Sequence, residues 1–518
     1  MIIYNLLLLL ILCILSIFIF AIALRSLFFL IVVLLNLKNK NKLKQLFLKQ
    51  DKLLNLSIRK RSIFNIIYRY ISQKKYHYEN TVLENEKKNI KINLKLPFIS
   101  ILTASFNEKD IIDKLLYSIS KLDYDISKYE TIIVDDSIDD TVKVLEQWKN
   151  QMTNLKVLYR KKREGWKGGA LNKGIEIMND KSDIALVVDA DNILEKNTLQ
   201  QIASYFETLN QTKSSIFVIQ GYPISIVHNN DEKYNKSIST ENNNKNDNWI
   251  SRAIAFRLCQ RNLIEFVAKE KINLPLPITG SLFAMKSGIL KTIKFSHDLC
   301  EDWDLTLDLY LSEFFNNHSY NPMKNEYFDC ENLPYQTNNN YHKHKIESKK
   351  IISFKTDFTS FTEATKNLSA YFKQRMRVSE GHTRGFRKKI TKILKSSNLP
   401  LFYKIELLLM GLRYAKYILL TIIIFLDIAV LFEKGIDNII NDNFYKIAFI
   451  FQSLSLVLYL TFITVSVKIY PKNKRQFNFV DTLYLLILNI CTIPAFFTGS
   501  IFGIIKDCGL FYKTARNK

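Results

Sequence analysis

The chain has 518 residues, of which 47% are hydrophobic and 24% charged, with a formal net charge of +24. That length allows more than one domain, and that apolar content excludes a disordered chain. The positive charge fits a nucleic acid or a membrane surface. No zinc-finger spacing or aromatic RNA-binding signature accompanies it, so nucleic acid is not an expected partner.

Residues 5–37 are almost wholly apolar, with one internal charge at Arg25. The run is too long for a secretory h-region and lacks a small-residue cleavage site, so 1–37 is expected to be a retained transmembrane anchor. Residues 38–96 are rich in Lys and Asn, as in Leu37-Lys38-Asn39-Lys40-Asn41-Lys42 and Arg59-Lys60-Arg61. They read as a basic juxtamembrane linker with amphipathic helices. Such charge favours the cytoplasmic side and its anionic leaflet. The six cysteines (Cys13, Cys259, Cys300, Cys330, Cys491 and Cys508) form no C-x-x-C pair. This fits a reducing compartment better than a disulfide framework.

Pro97 opens a different texture. Ile99–Thr103, 130–135, Leu155–Tyr159 and 184–189 read as strands, and helical patterns lie near 108–121, 139–150 and 168–179. Strands alternating with helices of this length predict βαβ units and a mostly parallel, Rossmann-like α/β sheet. Ligands of such sheets bind at the carboxyl ends of the strands. Thr103, Asp135 and Asp189 lie at or near those ends. Polar stretches at about 229–248 and 335–350 read as loop insertions. The His342/His344 pair in the second fits a solvated loop better than a metal site.

Five groups of residues carry candidate chemistry. Asp189-Ala190-Asp191 closes the apolar run 184–188; acids also end strands as turn formers, but two carboxylates there can share a divalent cation. Glu108 follows Thr103 in Thr103-Ala104-Ser105-Phe106-Asn107-Glu108, and Asp135-Asp136-Ser137 ends the second strand. These offer acceptors for a base and ribose, or simple helix caps. Arg163-Glu164-Gly165-Trp166-Lys167-Gly168-Gly169 allows close backbone approach and offers Lys167 to a phosphate, although it is not a P-loop. Cys300-Glu301-Asp302-Trp303 opens a helix, where acids offset the dipole or Asp302 acts as a general base. Gln374 and Arg377 share one helix face.

Taken in this order, the chain resembles a membrane-embedded family 2 glycosyltransferase, similar to cellulose, hyaluronan and glucomannan synthases and to ceramide glucosyltransferases. The resemblance covers roughly 97–390 and the membrane layout. It implies a GT-A-like domain inserted between transmembrane helices, with inverting transfer from a UDP- or GDP-sugar to a glycan or lipid acceptor. Thr103, Glu108 and Asp135 would hold the nucleoside and Lys167 the diphosphate. Asp189 and Asp191 would hold Mg²⁺ or Mn²⁺, with Asp189 also beside the donor. Asp302, with Glu301, would form the catalytic pair. Gln374 and Arg377 would close on the diphosphate. Thr279, Gly280 and Ser281 resemble the segment lining the acceptor pocket. The tail Phe511-Tyr512-Lys513-Thr514-Ala515-Arg516 resembles a gating motif. Val378 stands where the family pattern Gln-x-x-Arg-Trp has its Trp, which removes an aromatic platform for an acceptor sugar.

An interfacial helix is expected over 391–412, a transmembrane region over 413–505 and a basic cytoplasmic tail over 506–518. Pro494 and Gly499 suggest a hairpin or interfacial segment within the last apolar stretch. The layout predicts a multi-pass protein of the cell membrane, with its catalytic domain on the cytoplasmic side. A processive β-polysaccharide synthase, a single-addition glycolipid transferase and an inactive membrane scaffold all remain open.

Overall fold

The computed structural model describes residues 2–50, 96–212, 214–226, 248–312, 320–321, 326–327, 350–467 and 477–507. The chain divides into two units, Met1–Val33 with Pro97–Lys518, and Leu34–Leu96. The sheet and the candidate site belong to the first. The loop readings at 229–248 and 335–350, the gating tail and residues 51–95 of the linker lie almost entirely outside the described residues.

After helix α1 (Ile2–Gln50), the chain runs β1 (Ile99–Ser105), α2 (Lys109–Ser120), β2 (Tyr129–Asp135), α3 (Thr141–Lys149), β3 (Leu155–Tyr159), α4 (Trp166–Glu176) and β4 (Ile184–Val188). This is the alternation expected from the sequence. Next come β5 (Ile193–Leu194), α5 (Thr198–Gln211), β6 (Val218–Ile226) and α6 (Trp249–Gln260). A π-helical turn over Arg261–Phe266 then joins α6 to α7 (Val267–Lys271). Beyond it lie β7 (Leu282–Lys286), α8 (Ser287–Ile293), α9 (Glu301–Leu311) and the short hairpin β8 (Tyr320–Asn321) and β9 (Glu326–Tyr327). The last segments are β10 (Ile352–Glu363), α10 (Leu368–Lys395), α11 (Leu401–Gly411), α12 (Ala415–Asn441), α13 (Asn443–Ser466) and α14 (Phe479–Ile505).

Eight strands form one sheet in the order β3-β2-β1-β4-β7-β6-β10-β5. The first four are parallel; β7 pairs antiparallel with both β4 and β6, and β10 returns parallel to β6. The sheet is therefore GT-A-like, mixed and mostly parallel. Chain order reverses between β1 and β4, which opens a crevice at their carboxyl ends. Alternate residues of the strands feed opposite faces. Ile101, Ile133 and Leu186 pack on Ile112 and Leu116 of α2. Leu102, Ile132 and Val187 pack on Leu171 of α4 and Leu305 of α9.

Four helices are long and apolar enough to cross a membrane: Leu9–Leu37, Ala415–Phe432, Asn443–Ser466 and Phe479–Ile505. The hairpin expected in the last stretch is absent. α14 is one continuous helix through Pro494. Gly499 is there for packing: a Cβ on it would come within 2.2 Å of the Met376 carbonyl oxygen of α10. Small residues of this kind let two helix backbones approach closely. The start of α14 is fixed as well, because the buried Asp481 takes Arg252 of α6 through bonds of 2.7 and 2.8 Å.

Candidate functional site

Asp135 ends β2 in register with Ser105, the last residue of β1. Ser137 donates its hydroxyl to Asp135 at 2.6 Å, and the same oxygen accepts the Asn107 amide at 2.6 Å. The two strand-end loops are thereby locked together. Burial raises the Asp135 carboxyl above the ordinary range, although the serine bonds oppose it. Thr103 lies two residues inside β1, 1% exposed, and its hydroxyl oxygen has no hydrogen-bond partner. Glu108, half-buried, accepts the first amides of α2 with its carbonyl.

Beside this loop pair, Asp136 takes the Arg160 guanidinium at 2.7 Å. The Arg163 guanidinium lies 3.6 Å from the centre of the Phe106 ring. The result is a flat, cation-capped ledge. The sequence reading did not single out Phe106, Asp136 or Arg160 in these roles, because their pairing spans loops far apart in the chain.

Lys167 is the hub of the centre. Its Nζ lies 2.7 Å from Asp189, 3.0 Å from Glu301 and 2.8 Å from the Gly280 carbonyl oxygen. It thus ties the end of β4, the first turn of α9 and the turn before β7. Gly168 permits this approach: a Cβ there would lie 2.0 Å from the Ser296 carbonyl oxygen. Asn172 closes the contact by exchanging two 2.9 Å bonds with the Phe295 backbone. Burial opposes the Lys167 charge, but Asp189, Glu301 and Asp302 outweigh it and raise the amine. Burial, Asp191 and Glu301 push the Asp189 carboxyl up against the pull of Lys167.

Asp302 accepts the Gly280 amide on one oxygen and its own helix's Trp303 amide on the other, each at 2.8 Å. Its two oxygens are thereby oriented by backbone donors. The Thr279–Gly280 turn is held from behind by Gln220, a fully buried side chain of β6. Gln220 accepts the Thr279 amide at 2.9 Å and donates to the Thr279 hydroxyl at 2.8 Å. The Ser281 carbonyl oxygen accepts the Asp189 amide at 3.1 Å. Gln220 was not foreseen, although a lone Gln in the run Val218-Ile219-Gln220-Gly221 was a usable signal: a buried amide needs partners.

Asp191 accepts the Thr362 hydroxyl at 2.9 Å and the Asn192 amide at 3.1 Å. β10 thus orients the second carboxylate of the Asp-x-Asp pair. The described residues contain no group of three or more potential metal ligands. The donor set nevertheless fits a hard cation such as Mg²⁺, which takes one or two carboxylates plus substrate phosphates. The centre carries Asp189, Asp191, Glu301 and Asp302 against Lys167 and Arg377, an excess of negative charge that a divalent cation would offset.

On α10, Gln374 and Arg377 are half-buried. Burial lowers the Arg377 guanidinium, opposed by Cys300, Glu301 and Asp189, which marks it as facing the same centre. Val378 packs partly buried against the main core, and its carbonyl oxygen accepts the Cys300 thiol at 3.4 Å. α10 is also clamped to the segment before α9: Arg384, fully buried, bonds Asp298 at 2.8 Å and Glu380 at 3.0 Å. Of the sequence-proposed residues, Lys167, Asp189, Glu301, Asp302 and Gly280 meet within hydrogen-bonding distance. Asp135 stands at the neighbouring strand end, and Thr103 is enclosed in its strand.

Sheet order, crevice and acids define a GT-A-like fold. Residues 100–267 match the family model described as Glycosyl transferase family 2. A β-monoglucosyldiacylglycerol synthase of Nostoc sp. is 36% identical over 114 residues, 22% of this chain and 24% of that protein. A poly(ribitol-phosphate) β-glucosyltransferase of Bacillus spizizenii is 28% identical over 244 residues, 45% of this chain and 36% of that protein. The chain thus aligns with about a quarter to a third of the length of these relatives. Among solved structures, the mannosyltransferase PcManGT from Pyrobaculum calidifontis in complex with GDP-Man and Mn²⁺ aligns with a TM-score of 0.46 at 15% identity. That alignment covers 83% of this chain and 97% of that one.

Proposed function

We propose that this protein is an inverting, metal-dependent glycosyltransferase that moves a sugar from a nucleoside-diphosphate sugar to an acceptor at the membrane, forming a β-glycosidic bond. The observation that carries the reading is the Lys167 hub, which joins the strand-end acid Asp189 to the helix bearing Glu301 and Asp302. Donor-binding and proton-accepting groups then share one crevice.

In this reading, Asp135 and Glu108 receive the nucleoside, and the Phe106–Arg163 ledge lies beside it. Lys167, Arg377 and Gln374 face the diphosphate. Mg²⁺ or Mn²⁺ held by Asp189 and Asp191 would supply positive charge at the leaving group. Asp302, its oxygens oriented by two amides, takes the acceptor hydroxyl proton as that oxygen bonds to the anomeric carbon. The bond from that carbon to the diphosphate oxygen breaks, and its electron pair leaves with the nucleoside diphosphate. Attack from the opposite face turns an α-linked donor into a β-glycoside. Thr279, Gly280 and Ser281 line the acceptor side.

Val378 favours single addition over processive synthesis, because its side chain turns to the core and leaves no aromatic platform. The basic linker favours a catalytic domain on the cytoplasmic face of the cell membrane. The test is a screen of UDP- and GDP-sugars on the full-length protein in lipid nanodiscs with Mg²⁺ or Mn²⁺, followed by mass analysis of the product. One sugar added to one acceptor is the expected result. No calorimetric binding of any nucleoside diphosphate at saturating metal would leave an inactive scaffold as the better account.

A further inference from the structure

Behind the catalytic centre, toward the start of α12, lies a second group of charged side chains that the transfer chemistry does not use. Glu265 bonds Arg413 at 2.7 Å and Lys269 at 2.9 Å; Glu406 bonds Lys269 at 2.9 Å and also Arg25. These two carboxylates are therefore already engaged. Arg257, Arg261 and Arg375 have no carboxylate bonded to them among the described residues. Arg257 donates to the Tyr371 hydroxyl at 3.4 Å and lies 5.1 Å from the centre of the Phe496 ring. Arg375 lies 5.0 Å from the Tyr371 ring, and its buried Nε has no hydrogen-bond partner. Arg261 lies 3.4 Å from the Asn262 amide oxygen and 5.6 Å from the centre of the Phe266 ring.

Arg257 and Arg375 share the Tyr371 side chain. Burial lowers Arg261 to about 10, with Arg413 and Arg375 adding to the effect and Glu265 and Tyr414 opposing it. Glu265 and Glu406 are shared among more cations than they can neutralise, and half-buried cations in such excess are costly unless a further anion completes them. An aromatic ladder leads from this cluster to the base. Phe496 stacks on Tyr414 at 5.3 Å, Tyr414 meets His382 edge-on at 5.0 Å, and His382 stacks on Trp303, next to Asp302, at 4.4 Å. Tyr414 adjoins Ala415, where a candidate membrane span begins.

We propose that Arg257, Arg261 and Arg375 form a phosphate site for an anionic phospholipid acceptor, whose headgroup carries both a phosphodiester and a free hydroxyl. The guanidiniums hold the phosphodiester near the start of the candidate span, and the buried ladder, Phe496 being 0% and Trp303 4% exposed, fixes the cluster relative to the helix that carries Asp302. A bilayer lipid is preferred to a soluble phosphate because the cluster sits at the head of a span and against α14. This inference rests on the transferase reading for the role of the bound lipid, but not for its binding.

The test uses the full-length protein purified in a neutral detergent. Ligands are dioctanoyl phosphatidylglycerol, dioctanoylglycerol and glycerol 3-phosphate, read by thermal shift and by native mass spectrometry. Phosphatidylglycerol is expected to raise Tm and stay bound, whereas dioctanoylglycerol does neither. Arg257→Gln/Arg261→Gln is expected to weaken the lipid by about tenfold or more, the loss of at least one charge-assisted bond. Its unliganded Tm and its calorimetric binding of nucleoside diphosphate with Mn²⁺ serve as folding controls. If the double variant misfolds, Arg261→Lys, which keeps the charge but not the fork, is expected to retain weakened lipid binding. Equal binding of dioctanoylglycerol, an equal shift by glycerol 3-phosphate, or undiminished lipid binding in the folded double variant would overturn the proposal. Arginine-dependent lipid binding without any nucleoside diphosphate binding would support the site and reject the transferase reading.

Discussion

The Gly280 amide donates to Asp302 at 2.8 Å while the Gly280 carbonyl oxygen accepts Lys167 at 2.8 Å, so one peptide turn serves both the candidate base and the phosphate-side lysine. In the proposed reading, this turn couples the acceptor side to the donor side. A shift of this turn moves Asp302 and Lys167 together.

Asp302→Asn can keep one of the two amide contacts, because its Nδ2 cannot accept an N–H, and it cannot take the acceptor proton. Transfer of labelled sugar should fall by about a thousandfold, with nucleoside diphosphate affinity within about twofold of wild type. Turnover close to wild type in this variant would remove Asp302 as the base.

Asp191 is oriented by Thr362 and Asn192. Asp191→Ala should weaken metal-dependent nucleoside diphosphate binding by about tenfold or more in calorimetry. Chelation of divalent ions should have a similar effect on wild type. Metal-independent binding of equal strength would reject the cation site.

Gly499 faces the Met376 carbonyl oxygen of α10, one residue from Arg377. Gly499→Leu must push α14 from α10, at a cost of about 1–3 kcal/mol. We expect a lower Tm together with a weaker donor affinity, because α10 carries Gln374 and Arg377. A lower Tm with unchanged donor affinity would uncouple the two helices.

Asp298 gives a pH signature. Burial raises its carboxyl, but bonds from Arg384 and Lys388 and the Leu299 amide outweigh it and hold it below the ordinary range. The folded value lies below the unfolded value of about 3.9, so the unfolded chain binds more protons between the two. The stabilisation is present above about pH 4 and is lost as pH falls through the folded value. Thermal midpoints measured from pH 6 to pH 3 should fall more steeply for wild type than for Asp298→Asn. The variant should already be lower at pH 6, because the buried Arg384 keeps only Glu380.

The parallel half of the sheet was legible because each of its strands is a short apolar run bounded by a helical period. Leu155–Tyr159 was read with its observed limits. The other half was not read. Leu282-Phe283-Ala284-Met285-Lys286 has no period that separates strand from helix, and its partners β4 and β6 are chosen by packing far along the chain. The motif acids were legible as strand-end and helix-start carboxylates. Gln220, Asn192 and the Arg384–Asp298 clamp escaped because their meaning lies in partners 59 to 168 residues away. The last apolar stretch was misread for a related reason. Pro494 and Gly499 looked like helix breakers, but Gly499 answers to a neighbour that local sequence does not name.

In the proposed membrane reading, the close seam between α14 and α10 would make the bilayer part of the kinetics. A membrane thinner or thicker than the apolar length of a bilayer-spanning α14 would tilt that helix, and the tilt would reach Met376, whose carbonyl oxygen faces Gly499 and which precedes Arg377 on α10. Donor affinity measured across nanodiscs of graded acyl length should therefore trace a curve with an optimum, and values taken in detergent belong to one arbitrary point on it.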